Sequence, residues 1–136
     1  MTRHPDLTGE RFEKGIEIRR DVLGSAYVDR SIAAATDVTA PLQKLVTEYC
    51  WAEVWGRPGL ARRDRSLLNL GMLIAMNRPH ELRIHLRGAI QNGVTREEII
   101  EVVLQSAIYC GVPASLDAMR VVTETFKDLD GEAARD

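Results

Sequence analysis

The sequence predicts an all-α fold, and three observations support this prediction. Alternation of apolar and polar residues, which is typical of strands, is almost absent. Long segments instead repeat apolar residues every three or four positions, as one face of a helix does. Helix start and stop signals bound these segments, so we expect six or seven helices in a single domain spanning residues 1–136.

The N-terminal part of the chain predicts a long helix followed by a short one. The segment TGERFEKGIEIRRDVLG places Ile16 and Arg19 on one face and reaches a stop signal at Gly24. A short helix is then expected from Asp29, as its N-cap, to Ala35.

Two further helices are predicted in the middle of the sequence. The segment TAPLQKLVTEYCWAEVWG has Thr39 as its expected cap and Gly56 as its stop. After the turn RPGL, the segment ARRDRSLLNLGMLIAMN is apolar almost all round between Leu67 and Met76. We therefore expect this fourth helix to be the central, buried one.

The remaining helices have clear boundaries in the sequence. The fifth covers PHELRIHLRGAIQNGV, at residues 79–94. The sixth begins with Thr95 and Glu98, whose spacing predicts a capping box, and the last begins at Pro113.

Composition excludes several classes of protein. Apolar residues make up 45% and charged residues 28%, with a net charge of −2 and a pI of about 5.9. The chain has no polybasic block, no long apolar run and no apolar signal core, so we expect no nucleic acid or membrane partner and a cytoplasmic location. Cys50 and Cys110 are far apart in the sequence, and we expect both to be free thiols. We expect the two ends of the chain, about 1–8 and 129–136, to be flexible.

The fifth helix carries the strongest candidate for chemistry. At about 100° per residue, Glu81, His85, Gly88 and Asn92 form one strip, whereas His80 points roughly 140° away from His85. A carboxylate four residues from an imidazole can orient it and raise its pKa, which suits proton transfer near neutral pH. The alternative is an ion pair on the helix surface beside the core. Two converging ligands are too few for zinc, so no metal is predicted.

Arginines and tryptophans form a second set of candidates. Arg65 enters a nearly apolar segment, where a half-buried guanidinium needs an anion from the protein or from a ligand. With Arg62 and Arg57 it would suit a substrate that has more than one carboxylate. Trp51 and Trp55 lie four residues apart and belong either to the core or to a pocket wall.

The chain resembles a known family in three long blocks. WAEVWGRPGLARRDRSL, MLIAMNRPHELRIHLRGAIQNGV and VLQSAIYCGVPA are similar to the 4-carboxymuconolactone decarboxylases, and the resemblance covers roughly residues 12–127. It implies a helical bundle like that of alkyl hydroperoxidase D and a homo-oligomer, commonly a hexamer. His85 falls on the histidine that follows the redox CxxC of hydroperoxidase relatives, while Arg78 and Glu81 replace the two cysteines.

The resemblance also implies an activity. The family reaction is the cofactor-independent decarboxylation of 4-carboxymuconolactone, a dicarboxylate lactone, to 3-oxoadipate enol-lactone in the protocatechuate branch of the 3-oxoadipate pathway. His85, oriented by Glu81, would supply the proton or stabilise the oxyanion. The expected substrate-binding residues are Arg57, Arg62, Arg65, Trp51 and Trp55. Two alternatives stay open: a related enzyme on another small lactone or carbonyl acid, and a non-catalytic helical oligomer that binds a ligand.

Overall fold

A computed structural model describes residues 2–136, and within them it contains helices and no strand. The all-α prediction is therefore confirmed. The helices, in chain order, are α1 Glu10–Leu23, α2 Ser25–Ala33, α3 Ala40–Val46, a π-helix Thr47–Trp55 that continues α3, α4 Arg62–Ala75, α5 Pro79–Gln91, α6 Arg96–Tyr109 and α7 Val112–Arg135. None of the described helices combines the length and apolarity needed to cross a membrane.

The chain divides into two compact units. The N-terminal unit ends at Arg62, and the C-terminal unit spans Arg63–Asp136. Two apolar clusters fill the N-terminal unit. One joins the N-terminal segment to α1, α2 and the start of α3, through Leu7, Phe12, Ile16, Val28, Ile32 and Ala40. The other joins α1 to the π-helix, through Ile18, Val22, Trp51 and Trp55.

A glycine of α1 lies very close to the backbone of the π-helix. A Cβ atom built on Gly15 would lie 2.1 Å from the main-chain oxygen of Thr47, at the start of the π-helix. Both residues are buried. Only glycine lets the two helices meet at this distance.

The C-terminal unit has one core, to which all four of its helices contribute. Its buried apolar residues are Leu70, Ile74, Leu82, Leu86, Ala89, Val94, Ile99, Val103, Ala118, Val121 and Val122. The predicted capping box is confirmed: the Thr95 hydroxyl accepts from the Glu98 N–H at 3.1 Å, and the Glu98 carboxylate accepts from the Thr95 N–H at 3.0 Å.

The prediction that the fourth helix is buried all round is wrong. Only Ser66, Leu70 and Ile74 of α4 are buried, whereas Leu68 is 54% and Met72 50% exposed. An apolar pattern on all sides of a helix predicts that every face is shielded from water. It does not identify the part of the protein, or the other chain, that shields each face. Residues 2–136 cover only one face of α4.

Two predicted helix boundaries also differ. α2 begins at Ser25, directly after Gly24, whose φ of 92° both ends α1 and precedes α2. Asp29 is therefore inside α2, where it pairs with Arg20 at 2.7 Å. At the other end of the chain, α7 continues to Arg135, although the flexible end was expected from about residue 129. The flexibility of the two ends stays a prediction.

Candidate functional site

A side-chain hydrogen bond joins the end of α5 to α4 in the C-terminal unit, where the first candidate group lies. Gly88 is buried, and the Asn92 side-chain amide donates to the Ser66 hydroxyl at 2.9 Å. His85 lies one turn before Gly88 on the same helix. It is half-buried, and its Nδ1 atom is shielded from solvent.

Arg65 is held on α4 next to this contact. It immediately precedes Ser66, is itself half-buried, and has its Nε atom shielded from solvent. The hydrogen bond between Ser66 and Asn92 therefore links the helix that carries Arg65 to the helix that carries His85. A guanidinium can bind an anion, and an imidazole can move a proton.

Glu81 occupies the expected position, one turn before His85 on α5, but it is exposed. An exposed carboxylate is solvated and screened, so it acts more weakly on a neighbouring imidazole than a buried one does. The contact between Glu81 and His85 stays a prediction.

The two tryptophans lie in the N-terminal unit and stack on each other. Their ring centroids are 5.0 Å apart, with an interplanar angle of 28°. Both are buried, among Ile18 and Val22 of α1. This placement agrees with the interpretation that the two tryptophans belong to the hydrophobic core. Their role as the wall of a pocket stays a prediction.

The other two predicted arginines, Arg57 and Arg62, also belong to the N-terminal unit. Arg62 pairs with the Asp21 carboxylate, with 3.2 Å between nitrogen and oxygen. Arg57 is exposed in the turn after the π-helix. A protein carboxylate therefore already engages Arg62.

Sequence reasoning missed a buried cation in the N-terminal unit. Arg19 is 7% exposed, and its Nη1 donates to the Gln43 side-chain oxygen at 2.9 Å. Burial lowers the pKa of this guanidinium, and the nearby Tyr27 and Cys50 partly offset that effect. The signal was present, since Arg19 shares a helix face with Ile16, but the identity of its neighbours depends on tertiary packing.

A cavity of about 1140 Å³ lies elsewhere in the C-terminal unit, between α4 and α6. None of the predicted site residues lines it. Cys110 does, together with apolar side chains that include Leu68 and Met72. Across residues 2–136, no group of three or more histidine, cysteine or carboxylate side chains is placed to hold a metal ion.

Comparison with known proteins identifies the family. The model of the carboxymuconolactone decarboxylase family matches residues 40–124. The chain belongs to this family. Every predicted site residue lies inside the matched range, whereas Arg19 lies outside it.

Two relatives of this family member are similar over most of their length. The chain is 51% identical to nitrosuccinic acid decarboxylase of Metarhizium robertsii over 124 residues, which cover 91% of this chain and 87% of the relative. It is 43% identical to 4-carboxymuconolactone decarboxylase of Acinetobacter baylyi over 120 residues, which cover 88% and 90%. Family and relatives together support an enzyme that decarboxylates its substrate.

Proposed function

We propose that the protein decarboxylates a small dicarboxylate whose own structure accepts the electron pair left by CO2. The observation that carries the proposal is the similarity to two decarboxylases over about nine-tenths of the chain. The first candidate substrate is 4-carboxymuconolactone, with a place in the protocatechuate branch of the 3-oxoadipate pathway. The second is nitrosuccinic acid, which the higher identity to the Metarhizium robertsii enzyme favours.

The two candidate substrates share one chemical pattern. In 4-carboxymuconolactone, loss of the γ-carboxylate as CO2 sends its electron pair through the ring onto the lactone oxygen and leaves a dienolate. In nitrosuccinic acid, loss of the carboxylate beside the nitro group leaves a nitronate. Each reaction then needs a proton on carbon, and each product keeps the second carboxylate. Neither reaction requires an electron sink outside the substrate.

We assign the proton, or the stabilisation of the oxyanion, to His85. Its half-buried position limits competition from water, and the Ser66–Asn92 hydrogen bond links the end of its helix to α4. Glu81 is the proposed orienting group, with the modest effect expected of an exposed carboxylate.

We assign the retained carboxylate to Arg65, together with Arg62 or Arg57. Guanidinium binds carboxylate through two parallel hydrogen bonds, and partial burial strengthens them. The departing carboxylate should lie away from any arginine, because an ion pair would stabilise it more in the ground state than in the transition state. An apolar surface such as that of Trp51 or Trp55 would suit it.

We also propose that the chain forms a homo-oligomer, with a hexamer as the expected state, through a surface that we call the α4/α6 face. Its exposed apolar residues are Leu68, Met72, Leu104, Ile108 and Tyr109. Such a patch is typical of an interface. Gly71 supports this. A Cβ there would meet nothing within 4 Å, so residues 2–136 give no reason for the cost of about 1 kcal/mol that a glycine carries in a helix.

The assembly is tested by light scattering after size exclusion. Leu104→Glu should dissociate the oligomer, because it places a charge in the middle of the apolar surface. Val38→Glu changes an equally apolar, 87% exposed residue outside the face and should leave the mass unchanged. A monomeric wild type, or an unchanged mass for Leu104→Glu, would refute the assignment.

The activity is tested by supplying each candidate substrate separately and measuring CO2 release. His85→Ala should lower kcat by about 100-fold or more, as expected for loss of a general acid. His80→Ala is the matched control, since His80 is exposed on the same helix and should leave kcat unchanged. Wild-type kcat in folded His85→Ala would remove His85 from the mechanism. Release of CO2 from neither substrate would refute both substrate assignments.

Arg65 is tested through the kinetics of Arg65→Gln. Loss of a carboxylate contact should lower kcat/KM by at least about tenfold. Arg78→Gln removes an exposed arginine of the same unit and serves as the control. An unchanged kcat/KM for Arg65→Gln would make Arg65 a structural residue.

A further inference from the structure

Arg19 is the only charged side chain of residues 2–136 that is buried. Nine other arginines pair with a carboxylate: Arg3, Arg11, Arg20, Arg62, Arg63, Arg83, Arg87, Arg96 and Arg120. All nine are more exposed than Arg19. The arginine that most needs a counter-charge is therefore one that has no carboxylate partner within the described chain.

The neighbours of Arg19 are polar but neutral. Gln43 accepts from its Nη1 at 2.9 Å, and the Gln43 amide in turn donates to the Ser31 hydroxyl at 3.0 Å. The side chain of Tyr27 lies close enough to the guanidinium to act on its pKa. The Nε of Arg19 is shielded from solvent and has no hydrogen-bond partner. One donor of the guanidinium is thus unused.

Cys50 does not supply the missing negative charge at neutral pH. Burial raises the pKa of its thiol, although Arg19 and the Trp55 side chain act in the opposite direction. An uncompensated guanidinium in the protein interior costs several kcal/mol, and such charges are normally paired or bound to a ligand.

We infer that Arg19, Tyr27 and Gln43 form a binding site for the carboxylate of a small organic acid in the N-terminal unit. The guanidinium would supply the charge and the Nε–H and Nη–H donors, and the Tyr27 hydroxyl would add a further donor. Tyr27, Gln43, Ser31 and Cys50 are each half-buried, so the group reaches the protein surface. The choice of a carboxylate rests on the proposed function, because both candidate substrates are dicarboxylates.

The test measures binding without turnover, using succinate as the probe. Trp51 and Trp55 are the chain's only tryptophans and pack with Cys50, so their fluorescence reports on this part of the protein. Succinate should change this fluorescence in a way that saturates as its concentration rises, and it should raise the Tm of the protein. Dimethyl succinate, which is uncharged, and sodium chloride at equal ionic strength should do neither. Equal effects of the three additives would overturn the inference.

Arg19→Met separates a binding site from a structural residue. Without succinate its Tm should equal or exceed that of wild type, because the substitution removes an uncompensated buried charge. Its affinity for succinate should fall by at least about tenfold. Arg30→Met, at an exposed position of α2, is the matched control and should bind as wild type. Wild-type affinity in Arg19→Met would overturn the inference.

Tyr27→Phe decides the question if Arg19→Met does not fold. It keeps the ring and removes only the hydroxyl, so affinity for succinate should fall severalfold. Unchanged affinity in this variant would overturn the proposed site. Succinate binding that depends on Arg19, without decarboxylation of either candidate substrate, would support the site while refuting the proposed function. Decarboxylation of either substrate without succinate binding that depends on Arg19 would support the proposed function and refute the site.

Discussion

The contact between Gly15 and Thr47 gives a prediction whose magnitude follows from the structure. In Gly15→Ala the new Cβ would lie 2.1 Å from a main-chain oxygen, so the two backbones must separate by roughly 1 Å or more to reach a normal contact. Overpacking of this kind costs up to about 3 kcal/mol, and backbone atoms cannot rotate away. The better helix propensity of alanine returns about 1 kcal/mol. We expect a net loss of about 2 kcal/mol.

The assay is thermal unfolding followed by tryptophan fluorescence, because both tryptophans lie in the same unit as Gly15. The expected loss lowers Tm by on the order of 6 to 10 °C for a chain of this size. Gly131→Ala is the matched control: its Cβ would meet only the end of the Arg135 side chain, at an ordinary 3.8 Å. A Tm for Gly15→Ala within about 1 °C of wild type would refute the reasoning.

Two further predictions concern the C-terminal unit. The hydrogen bond from Arg63 lowers the pKa of Glu98 to about 2, so its stabilising contribution is present above the unfolded-state pKa and is lost as pH falls from about 4.5 towards 2. The free energy of unfolding, measured as a function of pH, should therefore fall less in Glu98→Gln than in wild type over this window. In Glu97→Gln it should fall as much as in wild type. Asn92→Ala leaves the buried Ser66 hydroxyl without its donor; urea unfolding should show a loss of about 1 to 2 kcal/mol, and an unchanged midpoint would contradict the assigned hydrogen bond.

The parts of the fold that sequence predicted well are those with local causes. The capping box of α6 needs only two side chains three residues apart, so Thr95 and Glu98 predicted it fully. The π-helix was predicted as part of an ordinary α-helix, because its wider turns leave no local signature in TEYCWAEVW. The exposed face of α4 was missed for a different reason: its covering depends on other parts of the protein or on another chain.

The candidate site was predicted only in part, because some of its features have local causes and others depend on tertiary packing. The strip of α5 followed from helical geometry, so Gly88 and Asn92 were placed beside His85 before the tertiary structure was known. The hydrogen bond from Asn92 to Ser66 was not foreseen, since it joins residues 26 positions apart. Arg19 stood visibly on an apolar face, but only the packing of α1 against other elements reveals that its neighbours are neutral.

The two candidate substrates make different demands on His85, and this difference can tell them apart. A nitronate is a weakly basic anion, stable enough to leave a protein and gain its proton in water. The dienolate from 4-carboxymuconolactone is more basic, so protonation by a nearby acid contributes more to its formation and capture. His85→Ala should therefore slow CO2 release from 4-carboxymuconolactone more than from nitrosuccinic acid. An equal reduction for both substrates would indicate that His85 stabilises the developing oxyanion, which both reactions share, and does not deliver the proton.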